Sequence, residues 1–393
     1  MILPFFSIVL PTKDRPSLLK PLIESVLAQD FEDFELIIYD NSDSNKIQEL
    51  LKKFQDDRIK KIRTGGLNMA DNWDQAISLA SGKYMLLFSD KILLKKGALN
   101  FLATYLERSR AECVTWGIDI CCDSEMVFFE DKLNTDAYLI SSRELIKKIL
   151  LSDYASYDHA PFHCNSCISV DLLEKIRSKY GRISHQLNPD YTLSYQVTLL
   201  LKDIHRLNKS LVILRQHDLE TGYGNGFSFV KKTEAAEKFM EDNKDWVNRV
   251  GERREIPING NKFIIDIMLK DLYEMLEIHN VDAKNFVDLD VRLISYYCRT
   301  LDEIYWRSSM GVDMKNEKLC WDQALLEENK SIYAAVYQYK KEQQFKKIRI
   351  QVTSLVKSIP IISRALVALR NYIKVRKGMR YTSLQSLLDQ TKI

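Results

Sequence analysis

Short apolar runs alternate with amphipathic stretches over roughly the first 110 residues. Residues 6–10 are mostly apolar and end at Pro11, the pattern of a buried strand. Arg15-Pro16 opens a helical period at Leu18, Leu19, Leu22, Ile23, Val26 and Leu27, with proline suited to the first turn. Residues 34–39 read as a second buried strand, ending in the polar cluster Asp40-Asn41-Ser42-Asp43-Ser44, which can cap the helix that follows. A weak strand at 59–62, a helix at 69–79, a strand at 83–88 and a helix at 95–106 continue the alternation. Further strands are expected at 114–116, 126–129 and 211–214, and helices at 141–151, 171–179 and 190–201. The glycine-rich 222–226 reads as a mobile loop. From about Ala235 the pattern turns helical, through 263–276, 287–306 and 331–356.

Strands alternating with helices imply right-handed βαβ units and a mainly parallel sheet, so the fold class is α/β. Ligands of such sheets bind outside the carboxyl ends of the strands. That rule selects residues 11–15, 40–43 and 89–91, all polar.

Composition adds an asymmetry. The 393 residues carry a net charge of +3, yet residues 343–388 hold ten basic and no acidic side chains. Asp389 and Lys392 cancel, so residues 1–342 carry −7. The tail intersperses its charges with Val, Ile and Leu, and Pro360 divides it into two expected helices. A basic amphipathic tail points to an anionic membrane surface, and a helix docked on the body with a solvated basic face is the alternative. Nucleic acid fits less well, because no recognised binding motif accompanies the charge. Seven scattered cysteines do not form a disulfide framework and fit a reducing compartment; Cys164 and Cys167 lack a second pair at zinc-finger spacing. The opening residues read as a strand entering a domain rather than as a signal peptide, and no apolar run approaches the ~18 residues of a membrane span.

Four stretches together resemble the family-2 glycosyltransferases of the GT-A fold. They are Ser7-Ile-Val-Leu-Pro-Thr-Lys-Asp-Arg-Pro16, Ser25-Val-Leu-Ala-Gln29, Phe34-Glu-Leu-Ile-Ile-Tyr-Asp-Asn-Ser42, and Ser81-Gly-Lys-Tyr84 leading to Ser89-Asp90-Lys91 and Gly97-Ala-Leu99. The resemblance is dense over 5–105, looser to about 220 and absent beyond. It implies a catalytic domain at 1–230, with a donor half at 1–110 and an acceptor half at 111–230. A helical region at 231–342 and the tail at 343–393 would follow.

The resemblance further implies transfer of a sugar from a nucleoside diphosphate to an acceptor hydroxyl with inversion. Pro11, Thr12, Asp14, Arg15, Asp40, Asn41, Asp71, Ser89, Asp90 and Lys91 would face the donor, with UDP or dTDP favoured. His163 and Asn165 would line the acceptor side, and Asp190 would be the general base. The family's fourth strand ends in carboxylates that hold Mg²⁺ or Mn²⁺ on the diphosphate. Here only Asp90 is acidic, and Lys91 stands where the principal metal-binding Asp is expected. Three readings stay open: a metal on Asp90 helped by His217, Lys91 in the metal's place as the diphosphate's counter-charge, or a silent enzyme. The resemblance and the tail together suggest a glycan or lipid-linked acceptor in surface polysaccharide or glycolipid synthesis, at the cytoplasmic face of the plasma membrane. The contrasting reading is a catalytically silent nucleotide-sugar-binding or scaffold protein.

Overall fold

The computed structural model describes residues 3–122, 127–129, 137–153, 159–185, 188–216, 253–258, 263–357 and 379–380. The first four strands and helices follow the expected alternation. They are β1 (Phe6–Thr12), α1 (Pro16–Leu27), β2 (Phe34–Asp40), α2 (Lys46–Leu51), β3 (Ile59–Arg63), α3 (Met69–Ile77), β4 (Tyr84–Leu87), a short β5 (Ile92–Leu94) and α4 (Ala98–Ser109). Next come β6 (Cys113–Cys122), β7 (Val127–Phe129), β8 (Ala137–Ser141), α5 (Ser142–Leu150), β9 (Ser166–Ser169), α6 (Val170–Tyr180), α7 (Pro189–Leu200) and β10 (Asp203–Gln216). Four helices follow: α8 (Ile264–Ile278), α9 (Leu289–Ser309), α10 (Lys315–Leu326) and α11 (Lys330–Lys357).

The sheet runs β3-β2-β1-β4-β9-β6 through its centre. Strands β3, β2, β1 and β4 are parallel, as the alternation predicts. Strand β9 enters antiparallel between β4 and β6, and β10 runs parallel to β6 but antiparallel to β5 and β8, so the sheet as a whole is mixed. Every residue of β1, β2 and β4 is buried, because helices cover both faces. Side chains alternate between two cores. Ile8, Leu10, Leu36, Ile38 and Leu86 meet α1, α2 and α4, while Val9, Ile37, Met85 and Leu87 meet α3, α5, α6 and α7. The second core continues without a break into α8, α9, α10 and α11 through residues such as Phe263, Leu272, Tyr297, Trp321 and Val336. The helical region is therefore packed onto the sheet's own core.

Two of the motifs that carried the resemblance act as clamps. Ser25 Oγ donates to Leu22 O and accepts from Leu94 N, and Gln29 Nε2 donates to Lys95 O at 2.9 Å. These bonds fasten α1 to β5 and the start of α4. Gly82 lies against β1, where an added Cβ would sit 2.9 Å from Phe6 C and Ser7 N.

Several expectations fall outside the described residues: His217, the glycine-rich 222–226, the helical onset at Ala235, Pro360 and most of the basic tail. Helix α11 reaches Lys357, the first part of that tail. Among the described residues no helix is long and apolar enough to cross a membrane.

Candidate functional site

Strand β1 lies between β2 on one side and β4 on the other, so chain direction away from β1 switches there. Pro11 marks where β1 and β4 part. Val9 O accepts from Phe88 N on the β4 side, while Thr12 O accepts from Asn41 N on the β2 side. By that alternation Pro11 would face β4 just beyond its end, where a missing N–H breaks no ladder bond. In sheets of this topology the ligand crevice opens at such a switch, here between Thr12, Asp40-Asn41 and Ser89-Asp90-Lys91, the three strand ends selected from sequence.

At its floor Asp90 is fully buried. Its Oδ2 accepts from Thr12 Oγ1 at 3.1 Å and lies 2.9 Å from Arg15 Nε, while Oδ1 is buried with no hydrogen-bond partner. Burial pushes the Asp90 carboxyl above its ordinary range; Arg15, Thr12 and Lys91 oppose this without cancelling it. Lys91 is 9% exposed, and burial first, then Arg15, lowers its ammonium from the usual value while Asp90 raises it. Two cations and one carboxylate thus share a desolvated pocket. Ser89 is half-buried, and its carbonyl accepts from Ile92 N, closing the turn that presents Asp90 and Lys91.

The other donor-side residues build the loops. Asp40 accepts from Ser42 N at 3.0 Å and from Gln48 Nε2 at 2.8 Å; the cap expected of it is made to the loop and to α2 from within, not to the first turn's end. Asn41 uses its amide twice on one partner, donating to Leu67 O at 2.7 Å and accepting from Leu67 N at 3.1 Å, which holds the loop before α3 against β2. Asp14 adopts φ 54°, a left-handed geometry that Asp tolerates, and its N donates to Ser42 Oγ at 2.8 Å. Its carboxylate accepts from Ser44 Oγ at 3.1 Å, so the β1 and β2 loops are tied together.

The acceptor half reaches the same crevice. Strand β9 begins beside the end of β4, pairing Cys167 with Leu86, so residues 163–165 lie next to the turn carrying Asp90. His163 Nδ1 is 3.5 Å from Asp190 Oδ2, both side chains about one-fifth exposed, and the His163 ring packs edge-on to Trp73 with centroids 5.4 Å apart. The structure therefore brings together Asp190 and His163, which the sequence singled out separately. Asn165 is placed differently. Its amide accepts from Phe162 N at 2.8 Å and donates to Ala160 O at 3.1 Å, and it is 2% exposed, so it shapes the turn rather than facing an acceptor. Asp71 accepts from Asn68 at the head of α3 and pairs with Arg182 at 2.7 Å. With Asp74, which accepts from Ile183 N and Ser184 N, it anchors the segment leading to Asp190. Asp71 thus links the donor and acceptor halves.

Phe162 and Tyr191, in edge contact at 4.9 Å beside His163 and Asp190, were not selected from sequence; an isolated aromatic next to a polar motif gives no periodic signal. Cys164 and Cys167 are buried free thiols, and burial with the Asp190 charge pushes Cys164 up to about 12, which makes it a poor nucleophile or metal ligand.

A divalent metal finds one carboxylate here, already engaged by Arg15 and Thr12 and flanked by Lys91. Among the described residues no group of three or more His, Cys, Asp or Glu could hold a metal ion. The described side chains do not fit a metal.

Residues 7–176 match the family model "Glycosyl transferase family 2". Over this stretch the chain is similar to the family-2 glycosyltransferases. The match ends within α6, so Asp190 and the helical region lie beyond the matched residues. The chain is 32% identical over 104 residues, 25% of its length and 34% of the relative's, to a GalNAc(5)-diNAcBac-PP-undecaprenol beta-1,3-glucosyltransferase of Campylobacter jejuni. It is 29% identical over 180 residues, 44% of its length and 59% of the relative's, to an uncharacterised glycosyltransferase of Methanocaldococcus jannaschii. The matches thus span about a third to three-fifths of these relatives' lengths. Among solved structures, residues 1–349 of S. aureus TarS in complex with UDP-GlcNAc align over 86% of this chain and 92% of that one, at 14% identity and a TM-score of 0.48.

Proposed function

We propose that the protein transfers a sugar from a nucleoside-diphosphate donor to an acceptor hydroxyl with inversion at the anomeric carbon. The observation that carries this reading is the meeting, at the carboxyl ends of the central strands, of a largely desolvated cationic pocket and an acid about one-fifth exposed. The pocket is Arg15 and Lys91 around Asp90; the acid is Asp190 beside His163. Pro11, Thr12, Asp40 and Asn41 edge the nucleoside side, with UDP or dTDP the favoured donor nucleotides. The acceptor hydroxyl oxygen attacks the anomeric carbon from the face opposite the diphosphate, and its proton passes to Asp190. The bond from the anomeric carbon to the β-phosphate oxygen breaks, and the electron pair stays on the diphosphate. Lys91, with Arg15, meets that developing charge as a fixed counter-charge in a desolvated pocket.

The acceptor is proposed to be a glycan or lipid-linked glycan in surface polysaccharide or glycolipid synthesis. The Campylobacter relative is named for a lipid-linked substrate. The basic 343–388 tail suits an enzyme held at the anionic cytoplasmic face of a membrane.

The test is calorimetric titration of UDP, dTDP, GDP and CDP into the protein, each with Mn²⁺ and with EDTA. Binding that persists in EDTA and is lost in Lys91→Ala supports the metal-free counter-charge. Binding abolished by EDTA returns the site to a metal assisted from outside the described residues. Asp190→Asn should lower transfer by about 10³-fold while nucleotide binding stays intact. Near-normal turnover in Asp190→Asn would place the base elsewhere. Binding without any transfer by the native chain would favour the silent scaffold.

A further inference from the structure

Asp190 is held from a part of the chain that lies beyond the family-2 match. Asn188 occupies the N-cap position of α7, yet its side chain makes no capping bond to its own helix. Its Nδ2 instead crosses to α8 and donates to Asp271 Oδ2 at 2.8 Å. Asp271 is fully buried on the same face of α8 as Met268, Leu272 and Met275, an apolar face that would be expected to carry an apolar side chain. Its second oxygen, Oδ1, is buried with no hydrogen-bond partner. The helices are fastened again two turns along α7 and about one turn back along α8, where Tyr195 OH donates to Met268 O at 3.2 Å.

Both choices work against stability. A local Asn cap would stabilise α7, and this geometry forgoes it. A half-satisfied buried carboxylate is worse than a packed leucine. Only the turn Asn188-Pro189-Asp190 benefits. Pro189 stiffens it, its carbonyl accepts from Ser184 Oγ at 2.9 Å, and the Asn188–Asp271 bond fixes its remaining side.

We propose that Asp271 is a positioning residue for Asp190: through Asn188 it sets the first turn of α7, aims the Asp190 carboxylate at His163, and so makes the helical region part of the catalytic site. The proposal rests on the reading of Asp190 as the general base. The surrounding charges agree with it. Burial pushes the Asp271 carboxyl well up; Asn188 opposes this, and the charges of Glu274 and Asp190 add to it.

The test reads geometry without turnover. The His163 ring resonance is assigned in ¹H–¹³C spectra by its loss in His163→Gln. It is then compared in the native chain, Asp190→Asn, Asn188→Ser, Asp271→Leu and the exchange variant Asn188→Asp/Asp271→Asn. Serine keeps a capping side chain, so Asn188→Ser is expected to fold and carries the test even where Asp271→Leu does not. The expected result is a His163 shift in Asn188→Ser at least half that of Asp190→Asn and in the same direction. The exchange variant, which rebuilds an amide–carboxylate bond with the roles reversed, should return the resonance toward its native position. An unmoved His163 in folded Asn188→Ser, with a clear shift in Asp190→Asn, overturns the proposal. UDP calorimetry on the same samples keeps the two readings apart: a native chain that neither binds UDP nor transfers sugar refutes the glycosyl-transfer reading, whereas an unmoved His163 refutes this one.

Discussion

Two buried carboxylates at opposite ends of the central parallel strands, Glu35 and Asp90, behave in opposite ways. At the amino end Glu35 is 5% exposed; its Oε1 accepts from Ser7 Oγ at 2.5 Å, Ser81 N at 2.8 Å and Ser81 Oγ at 2.9 Å, and Lys60 pairs with Oε2. Burial pushes it up, but Lys60, Ser7 and Ser81 together hold it below its ordinary value. At the carboxyl end Asp90 has one engaged oxygen and one orphan, and burial leaves it above its ordinary value. Glu35 is a closed clamp joining β1, β2 and the approach to β4. Asp90 sits in a pocket whose groups are incompletely matched to one another, a state expected where a ligand completes the electrostatics. The same sheet therefore separates stability from chemistry by end.

The largest expected effect lies at the closed end. Gly82→Ala would push a Cβ into the backbone of Phe6 and Ser7, which cannot yield as a flexible side chain would. A loss of about 3 kcal/mol in urea unfolding is expected, with UDP affinity unchanged in the folded fraction. If Gly82→Ala is neutral, the amino end is not the rigid clamp described. Glu35→Gln comes next: Lys60 loses its partner, and Ser7 Oγ and the Ser81 donors meet an amide that can satisfy fewer of them. This should remove about 2 kcal/mol without altering UDP binding.

Asp90→Asn should act the other way on both readouts. The amide oxygen can still accept from Thr12, while the incompletely matched charge is removed, so stability should hold or rise by about 1 kcal/mol. Arg15, released from the carboxylate, becomes available to a diphosphate, and UDP should bind more tightly in EDTA. Weaker UDP binding in Asp90→Asn would mean that the carboxylate serves a cation, contradicting the metal-free pocket.

Much of this contrast was visible in the sequence, and the reasons for what was not are physical. Strands β1, β2 and β4 are apolar runs buried on both faces, so length and polarity alone locate them. The three-residue β5 directly follows Lys91 and merges into the next helical pattern. Strand β9, Ser166–Ser169, is short and holds two serines in four residues. Helix α10 buries chiefly Trp321 and Leu325 while Leu319 and Leu326 are exposed, so its period is blurred. In the site, the strand-end rule located Thr12, Asp40 and Asp90, because topology alone puts them at the crevice. It could not show that Asn165 serves a turn, since an amide reads the same whether it meets backbone or sugar. The Arg15–Asp90 pair depends on tertiary folding. Asp271 did leave a trace, a lone acid on the apolar stripe of α8, a position where a structural reading expects leucine.

The smallest expected effect is the most direct test of the contrast, because pH should move the two ends in opposite directions. Glu35 is held below its ordinary 4.5, so its stabilising contribution is fully present above that value and is lost as pH falls through the folded-state value. Asp90 is held above its ordinary 3.8, so its relative stabilisation is present below 3.8 and is lost as pH rises through the folded-state value. Urea unfolding of the native chain, Glu35→Gln and Asp90→Asn at several pH values between about 3 and 8 reads both at once. The gap between the native chain and Glu35→Gln should be constant above pH 4.5 and narrow as pH falls below it. The gap to Asp90→Asn should be smallest below pH 3.8 and open in favour of the asparagine as pH rises above it. Parallel slopes for the two variants would mean that both carboxylates are satisfied alike. The functional end of the sheet would then have to be defined by Arg15, Lys91 and Asp190 rather than by the strain on Asp90.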